Sequence, residues 1–146
     1  IVEQWSGATT YKPAYPYFLE GPNDGNYGWN ALRYPLRYTG DAIFSGDTRT
    51  LQPMRDISLW IHNQTSGDPY GIAAGYDMNG APIYGGPSYA PEFSCGFAVA
   101  AMADPNMQIW IDDLYDTFYQ SSLGYYSDSL VMLSMFLLGG NWWLPY

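Results

Sequence analysis

Cysteine, histidine and basic residues are all scarce in this chain of 146 residues. Cys95 is its one cysteine, which excludes an internal disulfide framework and any cysteine-rich zinc site. Cys95 sits among Ser94, Gly96 and Ala98 and reads as a small buried hydrophobe. His62 is the one histidine, so a Ser-His-Asp triad or a zinc site would have to use it. It lies between Ile61 and Asn63 in a helical pattern with no framing motif, and a structural role is expected. No metal site and no cofactor are expected, and no phosphate-binding loop is present. Charged residues make up only 13%. Five Lys+Arg stand against 14 Asp+Glu, giving a formal net charge of −9. A chain with no basic footprint is a poor partner for nucleic acid. The bases are also confined: residues 56–146 contain no Lys or Arg. Long apolar runs are missing too. The longest, Leu130 to Leu138 broken by Ser134, is shorter than the ~20 residues of a membrane-spanning helix. The chain opens on Ile1-Val2 with no Met and no signal-like stretch, as expected of a mature, processed or excised piece.

What is abundant is aromatic. Tyr, Trp and Phe supply 18% of the residues, 15 of them tyrosine. Such a composition excludes intrinsic disorder. Residues 1–28 hold Pro13, Pro16, Pro22 and four glycines, with Tyr11, Tyr15, Tyr17 and Tyr27 between them. Proline and glycine punctuate structure, so this reads as a long irregular loop, and its tyrosines favour a functional one over a linker. Helical patterns follow. The first spans about Trp29 to Phe44, and the second starts at the N-cap Asp47 and carries Leu51, Met54, Ile57 and Ile61. Residues 65–89 break the helical pattern, with Asp77-Met78-Asn79-Gly80 as a hairpin turn. A third helix fits Glu92–Met102, and a fourth starts at Asp104-Pro105 with Trp110, Ile111, Leu114 and Phe118 on its apolar face. A fifth, Ser127–Leu138, is apolar nearly all round and should be buried on every side. The expected class is all-α with a small β-hairpin.

An aromatic-rich, carboxylate-rich, base-poor chain suits a sugar ligand. Aromatic faces stack on sugar C–H surfaces, while Asp, Asn and Arg bond hydroxyls. Glycoside hydrolysis itself needs two carboxyl groups. For Trp110 and Phe118 a plain core role is the stronger reading. For the loop tyrosines binding and packing are evenly matched.

The segment Tyr27-Gly28-Trp29-Asn30-Ala31-Leu32-Arg33-Tyr34-Pro35-Leu36-Arg37 resembles a helix-opening signature of glycoside hydrolase family 8. Ser45-Gly46-Asp47-Thr48-Arg49, Gly75–Gly80, and Gly124–Leu130 with Asn141, Trp142 and Trp143 resemble later family motifs in the same order. The resemblance covers roughly residues 5–144 and implies part, about half, of an (α/α)6 barrel. Residues 1–146 would form the C-terminal part of that single domain. It implies inverting, endo-type hydrolysis of a β-1,4-linked polysaccharide: β-glucan, cellulose, xylan or chitosan. It also implies a secreted, extracellular protein, and a general acid supplied by an N-terminal half or companion chain. The family's usual general base is an Asp where this chain has Asn30, and an amide cannot serve as a base. One branch carries Asn there and takes its base from a Glu on a preceding loop. Glu20 is the matching candidate and Asp24 the second choice. Tyr27, Arg33, Tyr125 and Tyr126 are the implied substrate-binding residues. A rival reading keeps the scaffold without catalysis, as a carbohydrate-binding or assembly subunit that associates with other chains or forms an oligomer.

Overall fold

The computed structural model describes residues 12–84 and 89–142. Tyr11 and the start of the first loop, Gly85-Gly86-Pro87 and Trp143 lie outside them. Five α-helices follow one another: α1 (Tyr34–Ser45), α2 (Leu51–Gln64), α3 (Pro91–Ala101), α4 (Gln108–Phe118) and α5 (Tyr125–Leu138). Short 3-10 turns lead into α1, α2 and α4. The turn before α2 is capped by Asp47, whose carboxylate accepts the Arg49 N–H at 3.0 Å. Asp104 caps the turn before α4 in the same way, accepting from Asn106 N–H at 2.9 Å. Each acid satisfies an N–H that the helix start would otherwise leave unpaired.

The hub of the packing is α3. All of its residues are buried, and α1, α2, α4 and α5 each pack against it. Its sequence explains this position. Pro91 starts the helix, where a missing N–H costs nothing, and Ser94, Gly96, Ala98, Ala100 and Ala101 let neighbouring helices approach closely. Phe93 and Phe97 fill the space between those helices, each contributing about 1.5–3 kcal/mol by burial. Arg55 on α2 donates to the Ala103 carbonyl at 2.6 Å and so ties α2 to the end of α3.

Helix α5 differs from its expected burial. Leu130, Val131, Ser134 and Leu137 are buried, but Met132 and Phe136 face outward and Tyr125 is 92% exposed. An apolar composition all round permits burial on every side but does not supply the neighbours that achieve it.

Two expectations of architecture are corrected. The β-hairpin is reduced, among the described residues, to isolated antiparallel bridges, Tyr27 with Tyr76 and Tyr76 with Pro82. The Asp77–Gly80 turn does form, with Asp77 N–H donating to the Ala81 carbonyl at 2.8 Å. The ladder stops there because Pro82 has no N–H to give and Gly75 takes φ +125°. The half (α/α)6 barrel is also corrected. The described helices cluster round a buried central α3 instead of forming a ring of paired helices.

Candidate active site

The loop at residues 12–30 crosses one end of the helical cluster and is built from polar contacts. Asp24 is its anchor. Its carboxylate accepts backbone N–H groups from Leu19 at 2.6 Å, Glu20 at 2.9 Å and Gly21 at 3.1 Å. These bonds, that from Leu19 first, hold its carboxyl below the usual range. Asp24 is itself buried, so its oxygens are spent on holding the turn. Tyr17 takes a positive φ of 62°, which a bulky residue adopts only when its surroundings enforce it. Its N–H donates to the Gly21 carbonyl at 2.8 Å. The two limbs of the loop meet at Gly25, where a Cβ would come within 2.3 Å of the Ala14 carbonyl oxygen. Only glycine permits that approach.

Glu20 therefore has a fixed backbone and an exposed side chain. Its Oε2 accepts from Asn30 Nδ2 at 2.7 Å. Asn30 Oδ1 in turn accepts from Arg33 Nη2 at 2.8 Å. Arg33 only donates, so it turns the amide oxygen toward itself and the amide nitrogen toward Glu20. Glu20, Asn30 and Arg33 thus form one chain of hydrogen bonds from the loop into the start of α1.

Glu20, Asn23, Gly28, Trp29 and Tyr84 line a hollow of about 320 Å³ beside this chain. Trp29 dominates its aromatic wall. Its ring centroid lies 6.5 Å from Tyr84, 6.2 Å from Tyr126 and 5.2 Å from Phe93. Tyr126 also donates its hydroxyl to the Trp29 carbonyl at 3.2 Å. The start of α5 is thereby brought to the residue next to Asn30. Trp29 is 37% exposed, so one side packs while the other stays open to a ligand. It is absent from the candidate residues read from the sequence, although its place beside Asn30 was a signal.

The implied binding residues fall into different settings. Arg33 and Tyr126 join the site. Tyr125, its neighbour, points into solvent. Tyr27 turns its hydroxyl inward and stacks on Phe97 at 5.3 Å. Burial pushes that hydroxyl well above its ordinary pKa. What Tyr27 adds is a seam: its backbone pairs with Tyr76 at 2.9 and 3.0 Å, fixing the loop's exit.

Cys95 and His62 stand apart from the site. Burial pushes the Cys95 thiol up to about 12, and the His62 ring sits edge-on to Trp110 at 4.9 Å. Among the described residues no cluster of His, Cys, Asp or Glu could hold a metal ion.

No family model matches the chain. It is 40% identical to a β-glucanase of Niallia circulans over 136 residues, which is 92% of this chain and 33% of that protein. It is 32% identical to an endoglucanase of Bacillus sp. strain KSM-330, over 92% of this chain and 29% of that protein. A structure of an apo β-1,3-1,4-glucanase from Paenibacillus sp. X4 superposes with a TM-score of 0.85 and 37% identity, covering 95% of this chain and 36% of that one. The chain thus spans about a third of the length of the curated relatives it matches. The expected assignment to glycoside hydrolase family 8 is corrected by these findings. The likeness they give is to proteins named β-glucanase, endoglucanase and β-1,3-1,4-glucanase.

Proposed function

We propose that this chain forms the base-bearing part of a glycoside hydrolase that cleaves β-glucan internally. The likeness to a β-glucanase and an endoglucanase supports the substrate and the endo mode. Xylan and chitosan have no counterpart in those names. The observation that carries the assignment is the Glu20–Asn30–Arg33 chain.

In this reading Glu20 is the general base. A water in the hollow beside Glu20 gives its proton to the carboxylate as its oxygen attacks the anomeric carbon. A carboxylic acid elsewhere in the protein protonates the departing glycosidic oxygen. The bond to that oxygen breaks, and the new hydroxyl takes the opposite face, so the product is inverted. Asn30 holds Glu20 in one rotamer without adding charge. Arg33 fixes the Asn30 amide, and Trp29 with Tyr126 offers a face for a glucose ring. The non-catalytic alternative rests on Asn30 as a mark of lost chemistry, and on low charge, abundant Tyr and Gly and an incomplete helix set that suit association with other chains. Glu20 in contact with that amide supports catalysis instead.

The test is digestion of a β-1,3-1,4-glucan by the full-length protein, followed by viscosity and by proton NMR of the first products. Endo cleavage drops viscosity faster than reducing ends appear, and inversion gives α-anomers first. Binding without any new reducing ends would overturn the proposal.

A further inference from the structure

A second, larger hollow adjoins the site and has the opposite electrical character to the chain. It measures about 710 Å³ and shares Asn26 and Asn30 with the smaller one, so the two are neighbours. Of the five cationic residues, Lys12, Arg33 and Arg37 line it. The other two are occupied elsewhere: Arg49 pairs with Asp47, and Arg55 donates to the Ala103 carbonyl. Among the described residues no Asp or Glu lines this hollow. Arg33 gives Nη2 to Asn30, whereas Lys12 and Arg37 make no hydrogen bond or ion pair among the described residues. Tyr34 and Tyr38 supply a paired aromatic wall, with ring centroids 4.0 Å apart.

Cations gathered without counter-charges repel one another, and an anion between them relieves that cost. The paired tyrosines offer a surface for a sugar ring, and the adjoining Glu20 hollow places the hollow along the path of the same glycan. We propose that this hollow is a subsite for a sugar unit bearing a carboxylate, so that the protein prefers acidic β-glucans to neutral ones. The inference rests on the glucanase reading for its substrate but not on Glu20 being the base. Lys12 and Arg37 would meet the carboxylate, Tyr34 and Tyr38 the ring.

The test compares retention of the full-length protein in native gels containing carboxymethyl-cellulose or hydroxyethyl-cellulose of matched substitution. Expected is about fivefold tighter retention by the carboxymethyl polymer, fading as salt is raised. This preference runs against the chain's own negative charge. In the double variant Lys12→Gln, Arg37→Gln the preference falls to one, and in Arg37→Lys, which keeps the charge, most of it persists. Equal retention of both polymers by the unaltered protein, or a preference unchanged in the double variant, overturns the subsite. Retention of neither polymer overturns the glucan reading together with the subsite.

Discussion

The helical cluster and the loop at residues 12–30 are held together by different forces. The cluster is apolar: Phe93, Phe97, Leu114 and Phe118 have essentially no exposure, and α3 lies at its centre. The loop reaches the core only through Ala14 and the rings of Tyr27 and Trp29, and its path is held by Asp24 and by one backbone pairing of Tyr27 with Tyr76. Burial is non-directional and sets stability, whereas hydrogen bonds are directional and set positions. A change in the cluster should therefore cost stability first. A change in the loop should cost catalysis with the fold intact.

The largest effect is expected where the two regions meet. Phe97→Ala removes a buried ring that also stacks on Tyr27, and should destabilise by about 3–5 kcal/mol. Urea unfolding measures it, and thiol labelling reports it independently. The Cys95 thiol, pushed up to about 12 by burial, should resist reagents at pH 8 until the cluster opens. Asn30→Ala comes next. It frees Glu20 without touching the core and should lower kcat by roughly 10- to 100-fold through lost positioning, with the melting temperature nearly unchanged. A melting temperature that falls in step with kcat would erase the distinction between the regions.

Asp24→Asn should have a smaller effect of the same kind. The amide keeps an acceptor but loses charge, so the Glu20 turn loosens and kcat falls by about tenfold. Acid should mimic this change in the unaltered protein. Asp24 has a depressed folded pKa, so its contribution is complete above the unfolded carboxylate value. It is lost as pH falls through the lower folded one. Protease nicking of residues 17–24 should therefore increase below about pH 4, before the helical signal changes. The smallest effect belongs to Tyr126→Phe, which loses only the bond to the Trp29 carbonyl. It should cost about 0.5–1.5 kcal/mol at most, read as weaker glucan binding with an unchanged fold.

Much of the local structure was legible in the sequence. Asp47 and Asp104 signalled helix starts because a short acid before a helix satisfies an unpaired N–H, and both do so. Trp110, Leu114 and Phe118 recur at helical spacing and are buried together. The centrality of α3 was hidden, since small residues show how closely neighbours can come but not how many there are. The exposed half of α5 was missed for the converse reason. In the site, Glu20 and Asn30 were singled out from a resemblance, and the structure places them in contact. The division of labour between Glu20 and Asp24 could not be read, because two acids four residues apart look alike until backbone N–H groups surround one. Trp29 carries no such mark, because an aromatic beside a polar residue has no periodicity to single it out. The family and barrel expectations failed because short motifs in order do not fix the path between helices.

The most direct measurement is kcat of the Glu20→Gln variant of the full-length protein on β-1,3-1,4-glucan, taken alongside its melting temperature. The amide keeps the size of the side chain but cannot accept the water's proton. A loss of at least about 100-fold in kcat with the melting temperature unchanged is expected if Glu20 is the base. Activity within twofold of the unaltered protein would contradict it.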